Sequence, residues 1–489
     1  MTRMLAMICG CVGKTCRSIM CAGSALCLAA PALADDPADA GGINTLADID
    51  FGKPASVASV RSDPEIGATI VTFSTGTRLV VRSTRNEPGQ VSVTAWLGHG
   101  RAGVPDRLVH ALWASTLLPL GGTGKLAYGE LDQWQRRTAT PVTVTFVPGI
   151  SAFQWKGTVP SASLAGEMRL LAAYARDPAF RPELAEKITS VGPMMAREIE
   201  GSAASTFQRG VQHSLAGSSR YQELPETVDI AATTGNELPE LLKPAVPLAA
   251  DVAIVGDVSV ADAIQATAKT FAAGGPRPAA GHIKATAVPS HPGAGPFVFA
   301  HAGDPGDAWL GEYWVLPDLT AMPRAMRVAE VAAALVEARL AAVMPPSWPG
   351  DLAPVARAGG SAEIRRGNAI GIVLELQPAD IAVARAWIET LLRDMREGKI
   401  GAEEIGQARE VVVARHRAEE ASNEWWAERL VLGLRNPLLT SAMREARDGR
   451  EVSAGEVASF IRRYLARRPI IVVARNARGG AISRRDAYP

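Results

Sequence analysis

Past residue 27 the chain contains no cysteine. All five, Cys9, Cys11, Cys16, Cys21 and Cys27, stand in a distinct N-terminal stretch, residues 1–34. The remainder is therefore without disulfides, cysteine nucleophiles or thiolate metal sites, and relies on its core alone. The chain is also short of net charge, with 51 Lys and Arg against 50 Asp and Glu. Setting aside residues 1–34 removes Arg3, Lys14 and Arg17 and no acidic residue, which leaves −2. A mean charge of that size favours neither nucleic acid nor an anionic surface. The apolar run Ile19–Ala30 is too short for the roughly 20 residues of a bilayer span, so no stable membrane span is expected. Basic residues before that run and Ala32-Leu33-Ala34 after it instead read as a signal peptide cleaved after Ala34, which implies export to the periplasm. Leu26 before Cys27 and Met20 before Cys21 are not the small residue a lipoprotein signal needs.

Several catalytic patterns are missing as well. Around Ser151 the chain reads Gly149-Ile-Ser-Ala-Phe153, which is no G-x-S-x-G elbow. Leu118–Leu126 has the glycines of a phosphate loop, but Pro119 replaces the first glycine and Leu126 the magnesium-binding hydroxyl, so a glycine turn is expected. His282, His291 and His301 are spaced by nine and ten residues across a proline-rich stretch and read as exposed loop residues.

What is present is an ordinary globular composition, 47% hydrophobic and 21% charged, on a chain long enough for more than one domain. Ala68–Phe73 and Arg78–Arg82 alternate as a hairpin, and Gln90–Trp96 follows as a strand. Gly98 and Gly100 lead into a helix around His110. Strands at 141–146 and 151–158 precede a helix with Leu164, Met168, Leu171 and Tyr174 on one face, ended by Asp177-Pro178. A helix from Pro182, the strand Val252–Val255 and a helix from Val260 complete this half. Residues 273–296 hold the densest glycine and proline cluster and read as a linker. The plan then restarts: strands at 297–300 and 308–316, a helix opened by Pro323, the strand Gly371–Leu376, a helix over Ile381–Met395 stopped by Gly398, a helix from Ala402 and a closing strand at 469–473. The order strand, proline, helix occurs in both halves. Two tandem α+β domains, 44–272 and 297–489, each a mostly antiparallel sheet packed with helices, are the economical conclusion. Trp425-Trp426 on a charged helix fits a partner surface or burial equally.

The flanks of His110 and several later segments resemble the insulinase-like (M16, pitrilysin) metallopeptidases. Leu164–Ile188, with Asp-Pro-Ala-Phe at its centre, is similar to that family's helix, NPxF turn and helix; Ala253-Ile-Val-Gly-Asp257 is similar to the turn closing its first domain. Arg396–Arg409, with Gly-Lys-Ile-Gly-Ala-Glu-Glu-Ile, is similar to a second-domain segment. The resemblance spans about residues 68–475 and is greatest to non-catalytic proteobacterial subunits.

The resemblance implies an H-x-x-E-H helix, whose histidines bind zinc and whose glutamate activates water. Read from His110, the motif is degenerate: Trp113 stands at the glutamate and Ala114 at the second histidine. Glu198 occupies the place of the third ligand, but one histidine and one glutamate are short of the three protein ligands of catalytic zinc. His110 and Trp113 then read as packed residues and Glu198 as part of a solvated helix face. The substrate-binding arginine and tyrosine that the resemblance implies in the second domain fall at Pro345 and Leu352. The expectation is a pseudoenzyme without cofactor, binding peptides as one half of a heterodimeric chamber with an active M16 subunit. Two other readings stay open: an active endopeptidase, with zinc, and a stand-alone envelope peptide-binding protein.

Overall fold

The computed structural model describes residues 46–138, 141–216, 219–281, 286–287, 296–319, 322–344, 354–359, 363–365, 368–436, 439 and 451–477. The leader expected at 1–34, His282, His291, Pro345 and Leu352 lie outside these residues.

The first half builds a seven-stranded sheet from β1 (Val57–Asp63), β2 (Ala68–Phe73), β3 (Arg78–Ser83), β4 (Gln90–Leu97), β5 (Thr145–Pro148), β6 (Phe153–Pro160) and β7 (Asp251–Gly256), in the order β1-β2-β3-β7-β4-β6-β5. After a two-residue strand β8 (Thr286–Ala287), the second half supplies β9 (Phe297–His301), β10 (Ala308–Val315), β11 (Val355–Gly359), β12 (Ile364–Arg365), β13 (Ala369–Leu376) and β14 (Ile470–Asn476). β8 pairs with β12, and the other five form a sheet in the order β11-β13-β10-β14-β9.

Read from its other edge, the second sheet repeats the first. The order β9-β14-β10-β13-β11 matches β3-β7-β4-β6-β5 strand for strand. In each set the first pair is parallel and the rest antiparallel. The α+β repeat expected from the sequence is thus present, with β1 and β2 added to one edge of the first copy.

The helices repeat too. α1 (Tyr128–Thr138) precedes β5. α2 (Leu164–Arg176), α3 (Pro182–Gly201) and α4 (Ala203–Ala216) follow β6, then the short α5 (Thr227–Ala232) and α6 (Leu238–Leu242), and α7 (Val260–Ala268) follows β7. In the second half α8 (Pro323–Val343) follows β10, α9 (Ile381–Arg396), α10 (Ala402–Glu420) and α11 (Asn423–Arg435) follow β13, and α12 (Ala454–Phe460) precedes β14. Gly398, at φ 82°, ends the turn after α9, a left-handed geometry that favours glycine.

Both sheets are covered on both faces. Every residue of β7 is buried. Val252 and Ile254 point toward α2 residues such as Leu171 and Tyr174, whereas Ala253 and Val255 point to the opposite face. That second face is covered by α11 of the other half, through Trp425, Trp426, Leu430 and Val431. The second sheet is served reciprocally: Ile471 and Val473 face its own helices, and Ile470, Val472 and Ala474 face Phe207 and Val211 of α4. Each half lends one helix to the other. Trp425 and Trp426 are thus core residues of this exchange, each 8% exposed.

Charge follows the same path. Lys156 Nζ lies 2.7 Å from Glu428 and 3.3 Å from Glu424 on α11, and Arg435 Nε and Arg78 Nε each lie 2.6 Å from the Asp251 carboxylate. His301 corrects an expectation: it is 2% exposed, because β9 runs on to it and the following turn folds back, placing the ring 3.0 Å from the Asp307 carbonyl oxygen.

Candidate functional site

The segment after β4 is where the two halves differ most. The second half places the 21-residue α8 after β10. The first half has instead a run of 3-10 turns, Gly100–Gly103, Asp106–Ala111 and Ala114–Gly121. The helix expected around His110 is thus not an α-helix. Backbone bonds there reach three residues back: Leu112 to Val109 at 3.2 Å, Ser115 to Leu112 at 3.3 Å and Thr116 to Trp113 at 3.2 Å. The cause is local. Pro119 has no N–H to give, and the Ser115 and Thr116 hydroxyls donate back to the carbonyls of Leu112 (2.6 Å) and Trp113 (2.8 Å), competing with α-helical bonding.

His110 Nε2 lies 2.8 Å from Glu237 Oε1, both side chains 23% exposed. The other oxygen of that carboxylate accepts from the Thr234 backbone N–H at 2.8 Å, closing a capping box. Trp113 is buried and donates its indole N–H to the Thr233 hydroxyl at 2.8 Å. That hydroxyl lies 2.6 Å from the Asp229 carbonyl oxygen and 3.1 Å from that of His110. The indole packs where α3 has Gly192: a Cβ on that glycine would stand 3.5 Å from the ring. Ala114 is fully buried. Glu198 is exposed on α3, while its neighbour Ile199 faces the core. The structure brings together His110, Trp113 and Ala114 but gives His110 a different carboxylate, Glu237, which sequence reasoning missed; its only sequence signal was the Thr234-x-x-Glu237 capping pattern.

The residues present do not fit a zinc ion. An indole and a methyl group occupy two motif positions, and the one histidine is engaged by a capping carboxylate. Among the described residues there is no group of three or more His, Cys, Asp or Glu able to hold a metal.

The loop that opens this segment is held by two reciprocal arginines. Gly100, at φ 55°, sits against the Gly149 and Ala152 backbone, where a Cβ has no room. Arg101, 6% exposed, donates to the Pro148 carbonyl at 2.5 Å and to that of Gln222. Arg220 in turn donates to the Arg101 carbonyl at 2.7 Å and to Val104 and Asp106. Burial lowers the Arg101 guanidinium from its ordinary range, and Glu223 opposes that shift.

Two other perturbed acids serve packing. Glu167 on α2 is buried, accepts from the Thr143 backbone N–H at 2.9 Å, and has a second oxygen with no hydrogen-bond partner; burial raises its pKa to about 8, against the lowering effect of the Thr143 bond. Glu312 on β10 is also raised by burial, an effect opposed by Arg385 at 3.0 Å. Neither borders the His110 segment. The glycine run Gly121–Gly124 is a turn, as expected: Thr123 bridges to Pro178 and the Gly124 N–H donates to the Asp177 carbonyl.

No protein-family profile matches the chain, and no curated protein matches it. Solved structures do. A mutant of the ferredoxin protease FusC, in complex with Arabidopsis ferredoxin, superposes with a TM-score of 0.66 at 14% identity over 92% of this chain. The periplasmic protease PqqL from Escherichia coli gives 0.68 at 15% identity over 91%. The chain spans about half of each, 49%. A peptidase M16 inactive domain from Pseudomonas fluorescens gives 0.64 at 14% identity, covering 85% of this chain and 100% of that one. Identity this low speaks to fold. The chain has the two-domain fold of the insulinase-like M16 peptidases.

Proposed function

We propose that this chain is a catalytically silent member of the M16 family, exported to the periplasm by cleavage after Ala34, that forms one half of a peptide-holding chamber with an active M16 subunit. The observation that carries the reading is the filling of the motif: the Trp113 indole is buried and hydrogen-bonded to Thr233 beside Gly192, and the His110 imidazole is engaged by Glu237. These contacts leave no vacant coordination at the motif and no water-activating carboxylate in it. The chain spans about half of FusC and of PqqL, the extent that one half of such a chamber needs. The domains of this reading are 44–272 and 297–489, joined by 273–296. On sequence, Pro345 and Leu352 withhold the arginine and tyrosine that would assist a partner's chemistry, so the contribution is shape and charge. Among the described residues no helix is long and apolar enough to cross a membrane.

The test is elemental analysis of the purified chain together with a peptidase assay on a mixed peptide library and co-purification from the native host. Substoichiometric zinc, no cleavage and recovery of an H-x-x-E-H protein in a fixed ratio are expected. One tightly held zinc per chain with chelator-sensitive cleavage overturns the reading in favour of an active endopeptidase. Recovery of the chain alone, still binding peptide, favours the stand-alone binding protein.

A further inference from the structure

Several arginines of the second half are matched to carboxylates. Arg324 meets Glu456, Arg339 meets Glu404, Arg385 meets Glu312, and Arg357 and Arg415 share Glu337. One end of the domain departs from this rule. From Val457 to Arg485 the sequence has eight arginines and no aspartate, glutamate or lysine. In the described part of that run, Arg462 donates to the Arg396 carbonyl at 3.1 Å and to the Ser459 hydroxyl at 2.9 Å, which fixes it beside the last turn of α9. The Arg463 and Arg467 guanidinium groups share one aromatic neighbour, 5.3 and 5.8 Å from the centre of the Tyr464 ring. Arg393, Arg462, Arg463 and Arg467 are exposed and Arg396 is half-buried. Among the described residues, none of these five has a carboxylate within ion-pair distance. The nearby Asp394 and Glu397 are held by Lys399, at 3.1 and 2.9 Å.

Five guanidinium groups with no carboxylate at ion-pair distance, Arg393 feeling only the nearby Asp394 that Lys399 already holds, gather with Tyr464 into a patch that attracts an extended anionic surface. Four of the five are exposed, Arg393 on α9 and the others in and just past the helical turn Ile461–Leu465, a setting that suits an extended partner better than a small enclosed ligand. We propose that this arginine face docks the protein on the surface of a bilayer that contains anionic phospholipid, as a peripheral contact. Arginine forks bind phosphate oxygens bidentately, and tyrosine suits the headgroup level. The small charge of the whole chain hid the patch, because the other residues together offset its five arginines. This docking is separable from the silent-subunit reading, since it needs neither a partner nor peptide binding.

The experiment is sedimentation of the full chain with vesicles, either phosphatidylcholine alone or phosphatidylcholine with one third phosphatidylglycerol. Comparison is with the fivefold Arg→Gln and fivefold Arg→Lys variants at positions 393, 396, 462, 463 and 467. All forms keep residues 1–34, so the difference between them reports the patch. Wild type is expected to prefer the anionic vesicles by at least about tenfold, with the preference abolished at high salt. The glutamine variant is expected to lose it, and the lysine variant to retain part of it. Unchanged melting temperatures show that the variants fold. Equal binding to both vesicle types, or a preference in the folded glutamine variant undiminished from wild type, overturns the proposal. So does saturable binding of an acidic protein at this face without any vesicle preference.

Discussion

Arg435, the last residue of α11, sets its Nε 2.6 Å from Oδ2 of Asp251, the first residue of β7 in the other half of the chain. Both side chains are almost fully buried, and Arg78 takes the other carboxylate oxygen at the same distance. Arg435 also donates to the carbonyls of Gly98 at 2.7 Å and Ser151 at 2.9 Å. One guanidinium thus fixes the borrowed helix, the first strand residue of β7 and the loop that opens the degenerate motif.

Asp251→Ala leaves two arginines facing a buried gap. A loss of about 3–5 kcal/mol is expected, because removing one partner of a buried pair strands the other charge. Urea unfolding should then broaden, as α11 separates before the first sheet unfolds. A loss below about 1 kcal/mol with an unchanged slope would show that the pair is dispensable.

Restoring the motif residues does not restore the site. In the double variant Trp113→Glu, Ala114→His the two histidines stand four residues apart on 3-10 backbone, roughly 120° apart around the axis, against about 40° on an α-helix. The variant is expected to bind no stoichiometric zinc and to lose about 3–5 kcal/mol for the vacated indole. Equilibrium dialysis against zinc and thermal melting check both halves of this expectation. Tight stoichiometric zinc would mean that the segment rewinds to α-helix on binding.

Glu167 makes stability depend on pH. Its folded pKa, about 8, lies above the ordinary 4.5. The stability it contributes is therefore fully present below about 4.5 and is lost as pH rises through about 8. Urea titrations at steps between pH 5 and 9 should show a decline that Glu167→Gln flattens. An identical slope in the variant assigns the decline elsewhere.

Arg101→Met tests the arginine clasp. Methionine matches the stem but leaves the Pro148 and Gln222 carbonyls without this donor, a cost of about 1–3 kcal/mol. Hydrogen exchange is expected to rise in 100–106 and 219–222 while β4 and β7 stay protected, the pattern of a local opening. Uniform acceleration across the sheet would instead make the clasp part of the global core.

Much of the fold was legible from periodicity and turn residues. The strand Gln90–Trp96, the helix ended by Asp177-Pro178, the Pro323 helix and the helix stopped by Gly398 all stand close to their expected places. What failed had separate causes. His301 lay next to a proline-rich stretch, and its burial is decided by the turn through Asp307. The 3-10 backbone at His110 depends on hydroxyl groups competing for carbonyls, which hydrophobic spacing does not register. The helix exchange did leave a trace: Val252–Val255 is apolar without alternation, the mark of a strand covered on both faces, but nothing in it says which helix does the covering. At the candidate site, the mismatches at Trp113 and Ala114 were legible, whereas Glu237 as the companion of His110 was not.

The exchange of helices also sets a timetable for synthesis. The first sheet is complete in sequence once β7 has been made, yet the face formed by Val80, Ala253 and Val255 stays bare until Trp425–Val431 arrives. The hydrogen bond from Arg78 to the Leu434 carbonyl joins residues 356 apart. Meanwhile α4 presents Phe207 and Val211 with no sheet to cover, and waits for β9, β10 and β14. A nascent chain therefore carries two sticky surfaces for much of translation, and neither can be hidden early by its own half. Such a chain is a natural client for a holding chaperone, and a stop codon soon after α7 would yield an aggregating fragment in place of a free first half.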